Sequence, residues 1–133
     1  MVTLIGMGSG RWEALSVQAQ DAVRRAGLVF GAKRLLAGLP PECTARQFAL
    51  YQPAEILETL AQAPGQDAAV LYSGDTGFYS GASGLLTPLR ALGIPARVYP
   101  GVSSIQLLAA ALGRPWQDWK LVSAHGCACD PVA

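Results

Sequence analysis

Short β-rich apolar runs alternate with helical segments along this chain, and the runs are apolar on both faces. "VTLIG" (Val2–Gly6), "GLVFG" (Gly27–Gly31), "AAVLY" (Ala68–Tyr72) and "PARVY" (Pro95–Tyr99) read as strands, with "ARQFALY" (Ala45–Tyr51) a weaker one and "WKLVSAH" (Trp119–His125) a last one. Between them Leu15–Ala26 reads as a helix with Leu15, Ala19, Ala22, Val23 and Ala26 on one face. Lys33–Ala37, Pro53–Ala63, Ala82–Leu92 and Ser103–Leu112 are the other helices; Pro53 starts one where a missing N–H costs nothing, and Gly93 and Gly113 close two more. Strands without a polar face must be covered on both sides, so the pattern predicts α/β: a parallel sheet flanked by helices.

The 133 residues suffice for one domain with a real core, and a charged fraction of only 14% excludes a disordered chain. A formal net charge of +1 with no basic or acidic block speaks for no nucleic-acid partner and no membrane surface. The apolar runs are strand-length rather than membrane-length, and "MVTLIGMG" enters a glycine turn without a charged leader. Three cysteines, an odd count, do not make a secreted disulfide framework. The expectation is a cytoplasmic protein.

In an open parallel sheet, ligands bind beyond the C-terminal strand ends. The loops expected there are "GMGSGR" (Gly6–Arg11), "GAKR" (Gly31–Arg34), "SGDTGFYSG" (Ser73–Gly81) and "PGVSS" (Pro100–Ser104), three of them rich in glycine and serine. The opposite edge has ordinary connectors, "AGL", "APGQDA" and "LGIPA". This asymmetry places a small-molecule site at one edge. Each loop also has a plainer reading. "GMGSG" serves a turn that needs positive φ, and the serines of "PGVSS" serve to cap a helix, Ser103 or Ser104 being the N-cap. Capping still leaves N–H groups aimed into the crevice. Asp75, a carboxylate at a buried strand end, needs donors or a cation; the glycine-rich backbone is one source.

Several chemistries find no support. A dinucleotide fingerprint needs glycine where Arg11 stands, and no Walker loop or G-x-S-x-G elbow occurs. His125 is the only histidine, which leaves a Ser-His-Asp hydrolase little to work with. The cluster of His125, Cys127, Cys129 and Asp130 in "HGCACD" has too narrow a cysteine spacing for zinc, so no metal site is expected. Cys43 reads as structural, and Trp116 and Trp119 as packed on the sheet.

Taken together, "GMGSG", "SGDTGFYS" and "PGVSSIQLLAAALG" resemble the tetrapyrrole (corrin/porphyrin) methylase family from Val2 to about Gly126. "GFYSGA", "PGVSSIQL" and "RPWQDWKLVSAHG" are most similar to the branch that methylates ring carbon five of a corrin precursor (precorrin-6Y/precorrin-7) in cobalamin biosynthesis. One departure is Thr76, where the commonest family version has Pro.

The resemblance implies the N-terminal domain of the tetrapyrrole methylase (class III methyltransferase) fold over residues 1–122, with 123–133 either the start of a second domain or a non-native tail. It implies S-adenosyl-L-methionine as cofactor, held by Ser9, Ser73, Gly74, Asp75, Phe78, Ser103 and Ser104, with glycines letting the cofactor lie against main chain. A corrin precursor carries many carboxylates, so the resemblance puts Arg11, Lys33 and Arg34 on the substrate. It assigns no catalytic acid or base, because positioning supplies most of the rate of a methyl displacement. It further implies a homodimer and a decarboxylating methyltransferase partner, separate or fused. Two other readings stay open: a methylase of the same family acting on ribosomal RNA or in the diphthamide pathway, and a non-catalytic nucleotide- or phosphate-binding domain using the same crevice.

Overall fold

The computed structural model describes residues 1–77 and 80–121. The strands are β1 (Val2–Gly6), β2 (Leu28–Phe30), β3 (Arg46–Phe48), β4 (Ala68–Tyr72) and β5 (Ala96–Tyr99). The helices are α1 (Val17–Arg25), α2 (Lys33–Ala37), α3 (Pro53–Ala61), α4 (Ala82–Ala91) and α5 (Ser104–Leu112). The five strands form one sheet in the order β3-β2-β4-β1-β5, every pair parallel.

Period-two alternation sorts the strand side chains onto two faces. Ile5, Val29, Ala69 and Leu71 join Ala19 and Val23 of α1 and Leu35 and Leu36 of α2 in one buried cluster. Val2, Leu4, Phe30, Ala68 and Val70 join Ile56 of α3 and Leu85 and Leu89 of α4 in the other. At about 25 cal/mol per Å² of apolar surface, these two layers are the main driving force for folding. The central strands β1 and β4 are buried nearly throughout, which is why they lack a polar face.

The expected helices and five of the expected strands are present, with shifted ends. The first helix starts at Val17 rather than Leu15 because Trp12–Ala14 form a 3₁₀ turn and Ser16 is the N-cap, its hydroxyl accepting from the Ala19 N–H at 3.2 Å. The weak third strand keeps only Arg46–Phe48. Pro88 sits inside α4. The last strand expected at Trp119–His125 is not formed over residues 119–121, and the remainder of it lies outside the described residues. Trp116 does not pack on the sheet: it is 38% exposed and belongs to neither core cluster. Trp119 is half-buried and also outside both. Among the described residues no helix is long and apolar enough to cross a membrane.

Chain order and strand order together locate a crevice. β1 and β4 are neighbours, yet β1 leads to α1 on one face and β4 leads to α4 on the other. Their loops part above the sheet, and this is where an open α/β sheet leaves room for a ligand.

Candidate functional site

Three of the predicted loops meet at this edge, and they meet main chain to main chain. The N–H of Met7 donates to the Tyr72 carbonyl at 2.7 Å, so β1 and β4 stay paired beyond their strands. Gly8 and Gly74 then exchange both N–H···O=C bonds, at 3.1 and 3.0 Å, as an isolated antiparallel bridge. Gly6 and Gly101 close the contact from the third loop. A Cβ on Gly6 would fall 2.6 Å from the Gly101 nitrogen, and one on Gly101 would collide with the Gly74 carbonyl oxygen. No side chain fits at either position, which accounts for two of the glycines.

Asp75 fastens the same junction. Its Oδ1 accepts from the Gly101 N–H at 3.0 Å and its Oδ2 accepts from the Gly77 N–H at 3.1 Å. The donors that a carboxylate at this strand end requires thus come from backbone, one of them in a different loop. Thr76 adds a longer contact, its hydroxyl 3.5 Å from the Tyr99 carbonyl.

α5 begins against this junction. Ser103, buried, is its N-cap, and the cap is reciprocal: the Gln106 N–H donates to the Ser103 hydroxyl at 3.3 Å, and the Ser103 N–H donates to the Gln106 side-chain oxygen at 2.7 Å. The S-x-x-Q spacing is the signature of such a box. It was legible in "SSIQ", yet Gln106 is absent from the residues the loop reading singled out. Gly101 is another residue that reading missed, its signal being the "PG" that opens the loop.

Between α5 and the start of α1 lies a cleft of about 460 Å³. Its floor is bare backbone at Gly6, Gly8 and Gly101, and its apolar walls include Met7, Leu15, Val102 and Leu107. Ser9 and Gln106 supply polar groups. Of the residues expected at a cofactor, Ser9 lines this cleft, Gly74 is bridged to its floor and Asp75 is bonded to it from behind. Ser103 caps the helix beside it, and Ser104 is exposed on the first turn. Ser73 points elsewhere: its hydroxyl accepts from Arg34 Nη2 at 2.7 Å. Phe78 lies outside the described residues.

The three cations expected at the substrate have different surroundings. Arg11 is exposed and 3.9 Å from Glu13, a solvated pair of little energetic consequence. Lys33 is exposed at the first position of α2. Arg34, next to it, reaches across to the loops after β1 and β4.

The Tyr72 phenol, at the end of β4, is pushed up to about 12 by burial. Burial also raises the Cys43 thiol, with the Glu42 charge adding to it, so the thiol is an inert part of the core. Among the described residues no three His, Cys, Asp or Glu gather as metal ligands. His125, Cys127, Cys129 and Asp130 lie outside those residues.

A bare main-chain floor, apolar walls and the N-terminus of a capped helix make a cradle for a flat, partly polar small molecule. Residues 1–132 match the family described as Tetrapyrrole (Corrin/Porphyrin) Methylases. Cobalt-precorrin-7 C(5)-methyltransferase of Salmonella typhimurium is 34% identical over 128 residues, covering 95% of this chain and 62% of that protein. The chain therefore spans less than two thirds of this relative's length. The methyltransferase CobJ superposes with a TM-score of 0.72 at 27% identity, over 86% of this chain and 51% of its own. Uroporphyrin-III C-methyl transferase from Thermus thermophilus, solved with S-adenosyl homocysteine, superposes with a TM-score of 0.65 at 25% identity, over 83% and 47%.

Proposed function

The chain belongs to the tetrapyrrole (corrin/porphyrin) methylases, and on that premise we propose that it serves S-adenosylmethionine-dependent methyl transfer to a ring carbon of a corrin precursor, at the precorrin-6Y/precorrin-7 step of cobalamin biosynthesis. The observation that carries this reading is the glycine floor, where Gly6, Gly74 and Gly101 from three loops touch and leave main chain facing a cleft. The residues fit the cofactor chemically. Main-chain edges and small side chains suit an adenosyl group, and the walls of Met7, Leu15, Val102 and Leu107 keep water from a reactive centre. When bound, S-adenosylmethionine supplies an electrophilic methyl on a sulfonium.

The chain's own residues then have positioning work only. Gly8 and Gly74 set the height of the floor, and Asp75 holds the third loop against it. Ser9, Ser103 and Ser104 offer hydroxyls and N–H groups around the rim. A displacement whose leaving group needs no proton draws its rate mainly from positioning. In this reading residues 1–122 form the domain that carries the floor, and the length of the relatives that the chain does not match carries the opposite wall. A homodimer, a decarboxylating partner and a cytoplasmic location belong to the same proposal.

Titration of ¹⁵N-labelled protein with S-adenosylhomocysteine tests it. Shift changes should concentrate on Gly6–Arg11, Ser73–Gly77 and Pro100–Leu107. ATP at the same concentration should leave these signals in place. ATP shifting them, with S-adenosylhomocysteine inert, would instead favour a nucleotide-binding domain.

A further inference from the structure

Arg34 and Arg97 each donate to a neutral hydroxyl, Ser73 and Tyr99, but Arg97 lies within β5 beside Met1, Thr3 and Asp67, whereas Arg34 stands between the loops that follow β1 and β4. Arg24 is neutralised by Glu42 at 3.0 Å and Asp21 at 3.2 Å, and Arg11 has Glu13 nearby. Arg34 has no carboxylate partner among the described residues. Its Nη2 donates to a neutral hydroxyl, Ser73 Oγ, at 2.7 Å, and its Nη1 lies over Gly10, where an added Cβ would come within 3.4 Å. Gly10, with φ of +94°, is both left-handed and bare beneath the guanidinium. The side chain is thus seated by two loops, after β1 and after β4, without losing its charge. It stands exposed at the C-terminal edge of the sheet, the edge that carries the cleft.

A guanidinium seated at the ligand edge of the sheet without a carboxylate partner is placed to receive an anion there. Fixing it in advance removes the rotamer entropy that a free arginine loses on binding. Its remaining N–H groups keep the planar fork that matches a carboxylate. We infer that Arg34, seated on Gly10 and Ser73, is the specificity-determining contact for a carboxylate of the substrate, and that Ser73 serves as a positioning residue for Arg34 rather than as a cofactor ligand. This rests on the reading of the edge as the methylase site, and it singles out one of three cations on that edge.

The test uses the 133-residue protein and two porphyrins of similar size, the octacarboxylate uroporphyrin and a tetracationic N-methylpyridyl porphyrin. Affinities are read by NMR titration, which reaches the millimolar range. Wild type should prefer the polyanion. Arg34→Gln should weaken uroporphyrin by about tenfold, the scale of one charge-assisted hydrogen bond. Ser73→Ala should weaken it severalfold, but should have no effect in the Arg34→Gln background, because its action runs through Arg34. Arg34→Lys should restore only part, since an ammonium cannot span Gly10 and Ser73. S-adenosylhomocysteine affinity should change less than twofold in all these variants. Equal binding of the two porphyrins, an unaffected Arg34→Gln, or a Ser73→Ala loss that persists without Arg34 would each overturn the assignment. So would equal weakening of uroporphyrin and S-adenosylhomocysteine, which would make Arg34 a mere tie between loops. Arg34-dependent uroporphyrin binding with no S-adenosylhomocysteine response would uphold the carboxylate contact and remove the methylase reading instead.

Discussion

Gly6 and Gly101 come from two loops and close on the Gly74 carbonyl of a third, and neither has volume for even one methyl group. Gly101→Ala should therefore cost about 3 kcal/mol, the upper range for overpacking, because backbone atoms and not a flexible side chain stand in the way. Gly65 also has positive φ but meets nothing within 4 Å, so Gly65→Ala should cost only the left-handed strain of about 1–2 kcal/mol. Urea denaturation of the pair checks the difference; equal losses would mean that the junction relaxes freely. Asp75→Ala strands the part-buried N–H of Gly101, while the exposed N–H of Gly77 turns to water, and should cost about 1–3 kcal/mol in stability while weakening S-adenosylhomocysteine binding. Asp75→Asn, which keeps one acceptor, should recover part of both. An Asp75→Ala protein with unchanged melting would refute the fastening role. Tyr72 supplies a pH dependence. Its folded pKa of about 12 lies above the ordinary 10, so between those values the unfolded chain releases a proton that the folded chain keeps. Stability should thus fall as pH rises from 10 towards 12, and Tyr72→Phe should flatten that part of the plot of Tm against pH.

α5 and α1 show how an element's start is decided. Ser103 and Gln106 lie three residues apart, and their reciprocal bonds place the first turn of α5 beside the cleft. Ser103→Ala should cost about 1 kcal/mol, the usual loss of an N-cap, and Gln106→Ala less. In the titration described above, both should also alter the response of Val102 and Leu107. A full cap loss with no change at the cleft would separate helix stability from site geometry. At α1 the periodic face extends back to Leu15, but Ser16 out-competes it as the cap and Leu15 becomes extended. The 3₁₀ turn before it is tied down by Gln20, whose side-chain amide donates to the Trp12 carbonyl at 3.0 Å, and by Arg24, which lies 5.4 Å from the centre of the Trp12 ring. Neither tie is visible in a periodic pattern.

For the molecule as a whole, the cleft has one floor and the relatives have more chain. The Salmonella relative is matched over 62% of its length and the S-adenosylhomocysteine-bound neighbour over 47%. On the proposed reading, in which the unmatched length of the relatives carries the opposite wall, a ligand resting on one wall forgoes several hydrogen bonds, each worth about 0.5–1.5 kcal/mol net. With every 1.4 kcal/mol a factor of ten, a micromolar binder becomes roughly millimolar. The 133-residue chain should therefore bind S-adenosylhomocysteine weakly and turn over no precorrin by itself. Calorimetry giving submicromolar stoichiometric binding would show that these residues hold the whole pocket.

The amino-acid sequence by itself determined the layers and the edge. Apolar runs such as "AAVLY" and "VTLIG" have no polar face, so they had to be covered on both sides, and glycine gathered in the loops after them. These are local properties, readable wherever a pattern repeats within a few residues. Only the tertiary structure decided what each loop residue does. Asp75 finds Gly101 26 positions away, Arg34 finds Ser73 39 positions away, and Gly6 touches both other loops. Those partners are chosen by the strand order β2-β4-β1-β5, which sets four distant loops side by side. A short-range pattern carries no information about which strands become neighbours, because that is settled by how the two core layers pack.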